Sequence, residues 1–222
     1  MNKNKLSERL SKVVETEAFH WGDNVAVAYH EAAAAHMDAH WSSIILPILS
    51  TYPIDLSETI DFACGRGRNA RKLKEVGAGN ITLVDVNAEN IAYCDQNLVP
   101  LGGYAVFLNN GYDLHPLPSE AYTFVYSFDA MVHFDLEIVL SYIAEFARVL
   151  RPGGFAFVHH SNFTGNPGGS FQQNPHWRNF MSAPIFKHVA VHDGFDVLRQ
   201  ETFAWGGAAD IDCITVMKRM AT

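Results

Sequence analysis

The sequence carries only three cysteines, Cys64, Cys94 and Cys213, which form neither a paired framework nor a Cys-x-x-Cys site. Such usage belongs to a reducing compartment. Long apolar runs are also missing. None approaches the ~20 residues that span a bilayer, so no membrane partner is expected. The N-terminal stretch "MNKNKLSERLSKVVE" is polar and amphipathic, without the apolar core of a secretion signal. The expected location is the cytoplasm. An excess of positive charge is lacking too, with 16 Lys and Arg against 24 Asp and Glu and a formal net charge of -8. Proteins that bind nucleic acid as their main partner show a basic face, so no nucleic-acid partner is expected. Arg66, Arg68, Arg71, Lys72 and Lys74 do cluster, but on what reads as one solvated helix start.

What is present describes a globular chain with ample core: 222 residues, 48% hydrophobic and 18% charged. From Phe62 onward apolar runs alternate with helical patterns, which predicts βαβ units and a parallel sheet. Strands are expected at 58–63, "ITLVDV", "YAVFLN", "YTFVYSF" and "FAFVHH", then near 195–204 and 211–218. Helices are expected after the first glycine turn to about Val76, over "AENIAYCDQNLV", over 135–150 and up to about Asp193. In the third of these, Ile138, Tyr142 or Ile143, Phe146 and Val149 share one face. The whole chain, 1–222, reads as one domain. Residues 1–55 form a helical, alanine-rich cap and 56–222 an α/β core. His36 and His40 would share a helix face, but no third ligand is in register. The Gly/Asn/Pro-rich stretch near 161–177 is too long for an ordinary connection and reads as an ordered lid.

The chemistry is concentrated in "TIDFACGRGRNA", residues 59–70. A glycine loop between strand and helix offers backbone N–H groups and a helix N-terminus to a ligand. The spacing Gly65-x-Gly67-x-x-Ala70 suits a nicotinamide dinucleotide as well as other nucleotide cofactors. Asp61, four residues before Gly65, suits an ammonium group rather than a pyrophosphate. Asp85 closes the second strand, where an acid can accept hydrogen bonds from both hydroxyls of a ribose.

"TIDFACGRGRNARKL", "ITLVDVN", "YTFVYSFDAMVHF" and "FARVLRPGGFAFVHH" resemble the successive motifs of class I S-adenosylmethionine-dependent methyltransferases. The resemblance spans about residues 58–160 in the family's order. It implies a Rossmann-like sheet of seven strands, mostly parallel, with the last strand antiparallel. It implies S-adenosyl-L-methionine as cofactor, with the loop residues Asp61, Ala63, Gly65 and Gly67 cradling its methionine and ribose portion. Asp85 matches the ribose-binding acid, followed by Val86. Asn110 or Asp113 matches the adenine-contacting acid, with the Gly111 backbone between them, and Ser127 closes the fourth strand. Ala63 departs from the family, which more often has glycine there. An ordinary backbone conformation is therefore expected at Ala63.

Methyl transfer to a hydroxyl requires a base. His133, His159 and His160 fall where strand ends meet the expected pocket, and histidine titrates near neutrality. Strand alternation sends His159 and His160 to opposite faces, so one of them enters the pocket; the resemblance that "HHSN" carries to a methyltransferase subgroup implies His160 ahead of His133 and His159. Asp129 could orient His133 or hold a divalent metal ion. "SFDAMVHF", "HHSN" and "WGG...IDC" are similar to a bacterial subgroup of sugar and glycan O-methyltransferases. That resemblance implies a saccharide hydroxyl as acceptor, and Phe171, Trp177 and Trp205 either stack on a sugar face or are buried in the core. The expected function is methylation of a small-molecule acceptor. The alternatives are an NAD-dependent oxidoreductase, which lacks a Tyr-x-x-x-Lys relay here, and an inactive S-adenosylmethionine-binding module.

Overall fold

Each apolar run predicted as a strand is a strand in the computed structural model, which describes residues 3–21 and 35–221. The strands are β1 (Glu58–Phe62), β2 (Asn80–Asp85), β3 (Tyr104–Leu108), β4 (Tyr122–Ser127), β5 (Leu150–Ser161), β6 (Phe195–Trp205) and β7 (Ala208–Arg219). They form one seven-stranded sheet in the order β3-β2-β1-β4-β5-β7-β6. Neighbours among the first five are parallel, and β7 runs antiparallel to both β5 and β6. All of β4 is buried, as a central parallel strand covered on both faces must be. β5 begins at Leu150 rather than at Phe155. The exposed Arg151-Pro152-Gly153 stretch and the buried Gly154 lie between the pairs Tyr122↔Leu150 and Phe124↔Phe155, where the register shifts.

Among the described residues, six longer helical segments cover the sheet. They are α1 (Lys3–Ala18), α2 (contiguous pieces Met37–His40, Trp41–Ile45 and Leu46–Leu49), α3 (Arg68–Glu75), α4 (Ala88–Asn97), α5 (Leu136–Val149) and α6 (Ala183–His192). Asp135 caps α5 by accepting the Glu137 N–H, and Ser182 caps α6 by accepting that of Ile185. On α5, Ile138, Val139, Tyr142, Ile143, Phe146 and Val149 are all buried, so both alternatives at 142 and 143 face the core. Each such side chain contributes roughly 1.5–3 kcal/mol.

The N-terminal segments seat on both faces. Leu10 of α1 joins the core built on Ile60, Val125 and α5, and Arg9 pairs with Glu137 at 2.9 Å. Trp41 and Ile45 of α2 join the opposite core with Leu83, Tyr126 and Phe157. Much of the alanine-rich stretch lies outside the described residues. The His36 and His40 rings stand 6.1 Å apart, and among the described residues no three potential metal ligands converge. No described helix is long and apolar enough to cross a membrane. The chain leaves β1 toward β2 and β3 on one side and returns to β4 on the other. Ligands of open α/β sheets bind at the carboxyl ends flanking such a switch.

Candidate active site

After β1 the chain turns through Ala63, Gly65 and Gly67, all in the left-handed region with φ of 54°, 54° and 69°. The ordinary conformation expected at Ala63 is not adopted. Its methyl is carried in a backbone well that costs L-residues about 1–2 kcal/mol, because the turn into α3 needs it. Gly67 faces away from any ligand. A Cβ there would stand 2.3 Å from Leu98 Cδ1, so its glycine is required by helix packing. Gly65 does face the site, and its N–H donates to Asp85 Oδ2 at 2.8 Å. Asp85 Oδ1 accepts from the Asn87 N–H and from Asn90 Nδ2. Burial raises the Asp85 pKa, against the opposing pull of those N–H groups.

The loop opens on a cavity of about 580 Å³, within the range of small-molecule sites. One part is lined by Ala63, Gly65, Asp85, Val86, Asn109, Gly111 and Tyr142. Asn109 Nδ2 donates to the Tyr142 hydroxyl at 2.6 Å, while its buried Oδ1 has no partner among the described residues. An acid at the end of β2 and an orphaned amide oxygen after β3 fit the ribose and adenine amino group of S-adenosylmethionine.

The other part is lined by Val14, Ala18, Trp21, Phe128, Asp129, His133, Phe134 and Ile138. His133 is buried, with Trp21 4.3 Å from its ring. Its Nδ1 lies 2.7 Å from the Trp177 carbonyl, which can only accept, so Nδ1 carries the proton and Nε2 is the acceptor. Burial, reinforced by the Arg178 charge, lowers the His133 pKa to about 4 and keeps the ring neutral. Asp129, at φ 57°, pairs through Oδ2 with Arg68 at 3.1 Å. Arg66, Arg68, Arg71 and Lys72, expected on a solvated helix start, line the same cavity.

Several residues singled out in the sequence lie elsewhere. His160 is fully buried, bonded at Nδ1 to the Ser161 carbonyl and at Nε2 to Thr215, and stacked 4.0 Å from Phe186. Burial lowers its pKa to about 3. It is structural. His159 is also buried, on the opposite face. Its Nδ1 accepts the Asp129 N–H at 3.1 Å, and its Nε2 stands 3.0 Å from Asp212 Oδ2. Asn110 is exposed, and its side chain accepts the Tyr112 and Asp113 N–H groups in a local turn. Asp113 accepts the His115 N–H. Neither lines the cavity; Asn109 does. Ser127 is buried behind the wall. Asp61 lies beneath the loop, 1% exposed, with Oδ2 unpartnered among the described residues. Burial raises its pKa to about 7 despite Arg68 and the Ala70 N–H. Phe171, Trp177 and Trp205 are absent from the lining of this cavity. Asp129 is engaged by Arg68 and belongs to no metal-ligand cluster among the described residues.

The sequence reading missed Asn109, Trp21, Arg178 and Asp212. Asn109 could have been found one residue after β3, at the sheet edge where Asp85 closes β2. Arg178 and Asp212 carry no local pattern, because they meet only in the fold.

Residues 60–158 match the family described as methyltransferase domain. No curated protein matches the sequence. Among solved structures, one similar chain comes from the complex between the Haloferax volcanii Trm112 methyltransferase activator and a methyltransferase. It is 17% identical, with a TM-score of 0.67, covering 88% of this chain and 97% of that one. An S-adenosylmethionine-dependent methyltransferase from Mesorhizobium loti is 16% identical with a TM-score of 0.65, covering 82% and 100%. The [4+2]-cyclase SpnF is 18% identical with a TM-score of 0.63, covering 86% and 82%. These likenesses establish the fold. The family match runs from β1 through the glycine loop to β5, over 99 of the 222 residues.

Proposed function

We propose that the protein transfers a methyl group from S-adenosylmethionine to the hydroxyl of a small molecule, with His133 as general base. The observation that carries this reading is His133 itself: a neutral imidazole on the cavity wall, proton fixed on Nδ1, Nε2 left to accept. When bound, S-adenosylmethionine supplies an electrophilic methyl on a positively charged sulfur. Asp85 would accept from the ribose hydroxyls, while Asn109 Oδ1 and the Gly111 backbone would receive the adenine edge. His133 Nε2 would take the proton of the acceptor hydroxyl and so ready its oxygen to receive the methyl. Val14, Ala18, Trp21 and Phe134 exclude water from the reacting groups. Their apolar surface supports an acceptor with an apolar body and a single hydroxyl in preference to a saccharide.

The test is calorimetry with S-adenosylmethionine and with NAD, followed by single-turnover methylation of phenols and alcohols read by product mass. Binding of the first cofactor alone and a rate loss of about 100- to 10,000-fold in His133→Ala are expected. Binding of NAD instead would overturn the cofactor assignment. A wild-type rate in His133→Ala would overturn the base.

A further inference from the structure

Among the described residues, Arg178 is the largest of the fully buried side chains. It meets Asp212 through two parallel bonds, Nε to Oδ1 at 2.7 Å and an amino nitrogen to Oδ2 at 2.6 Å. Burial alone would raise the Asp212 carboxyl, but the His159 and Arg178 partners hold it down at about 2. Burying an ion pair carries a desolvation cost that well-packed apolar residues would avoid. What the pair holds in place is found at its two ends. Next to Arg178, the Trp177 carbonyl accepts from His133 Nδ1 at 2.7 Å. On its other side, the Asn179 N–H donates to the Val132 carbonyl at 2.9 Å and Asn179 Nδ2 to the His133 carbonyl at 3.2 Å. Beyond Asp212, His159 stands 3.0 Å away and accepts the Asp129 N–H through its other nitrogen. The chain from 129 to 133 is therefore gripped from both sides.

We propose that Arg178 and Asp212 are positioning residues. Their ion pair holds the Trp177 carbonyl and His159 where they fix the His133 tautomer and the Asp129 backbone at the cavity wall. Neither residue touches substrate. The inference rests on His133 being the base, since only the tautomer protonated on Nδ1 presents a lone pair at Nε2. A ring released from Trp177 would exchange its proton between the two nitrogens, and part of the enzyme would lose its base. The charged groups acting on His133 are Arg178, Asp129 and Asp212.

Nitrogen-15 histidine spectra read the tautomer directly, whatever the activity. The variants are Arg178→Met and the double variant Arg178→Met with Asp212→Leu, which leaves no buried charge unpaired. The wild-type spectrum should show neutral His133 protonated on Nδ1. In the variants the signal should shift toward the other tautomer, with a single-turnover rate about 100-fold lower and near-unchanged S-adenosylmethionine affinity. In Arg178→Met the acid limb of the pH–rate profile should also move to higher pH, because a positive charge beside the ring is gone. Retention of the Nδ1–H tautomer and the wild-type rate in the double variant would overturn the proposal. Should the single variant fail to fold, the double variant alone decides. If His133→Ala is fully active while the tautomer still shifts in the Arg178 variants, the base assignment falls and the positioning role stands.

Discussion

The Gly65 N–H donates to Asp85 Oδ2 at 2.8 Å, so the acid at the end of β2 and the glycine loop after β1 act as one unit. Asp85 holds the loop, and under the proposed function it would also meet the ribose. Asp85→Ala should weaken S-adenosylmethionine binding by about 1.5–3 kcal/mol, roughly 10- to 150-fold in Kd. Calorimetry on the folded variant checks it. Unchanged affinity would remove Asp85 from the ribose site.

That double task shows what the sequence could and could not reveal. The order of strands and the glycine turn were legible because both are local: alternation of apolar runs, and a tight turn that needs left-handed residues. Asp85 was legible because a strand end is a local feature. Gly67 reads in the sequence as part of the cofactor cradle, and in the structure its φ of +69° and the neighbouring Leu98 side chain are what call for glycine. The histidines were harder. His159 and His160 differ only in which face of β5 they occupy, and what meets each face is decided by α6, β7 and the segment around Arg178. His133 owes its tautomer to a carbonyl on residue 177, a contact no spacing rule announces.

The pH dependence follows from the burial of His133. Because its pKa is lowered to about 4, methyl transfer should be nearly flat from about pH 6 to 8 and fall only toward that value. A histidine at its ordinary pKa would instead give a rise near 6.5. Single-turnover rates across pH distinguish the two, and a limb near 6.5 in the free enzyme would contradict the buried environment.

His160 gives the complementary expectation. Its folded pKa, about 3, lies below the ordinary 6.5. Its neutral ring thus contributes stability that is fully present above about 6.5 and lost as pH falls toward the folded value. His160→Ala should lower the melting temperature through lost packing on Phe186 and two lost hydrogen bonds. It should leave the rate per folded molecule near wild type. A rate loss of about 100-fold or more without unfolding would return His160 to the active site.

Helix α1 touches the site at Gly111, where an added Cβ would lie 2.3 Å from Val14 Cγ1 and where φ is +87°. Gly111→Ala should loosen α1, exposing it to protease, and weaken cofactor affinity. Adding Val14→Ala should restore part of the protection by removing the steric conflict while leaving the backbone strain. If the second substitution rescues nothing, the contact between α1 and Gly111 is not what closes this side of the cavity.

Asp61 tests the loop from beneath. Its carboxyl is buried, with Oδ2 unpartnered among the described residues, and burial raises its pKa from 3.8 to about 7. A carboxyl with a raised folded pKa favours the folded state most when protonated, so its contribution is lost as pH rises from about 4 through 7. Above that range the folded protein holds an ionised, poorly solvated carboxylate, at a cost of about a few kcal/mol. Asp61→Asn keeps the shape and removes the charge. Its melting temperature should match wild type in mild acid and exceed it by a growing margin up to about pH 7, then by a constant one. Thermal melts of both proteins across that range measure the margin. Parallel curves would mean that Asp61 is already compensated in the folded state, and that its buried oxygen has a partner at every pH.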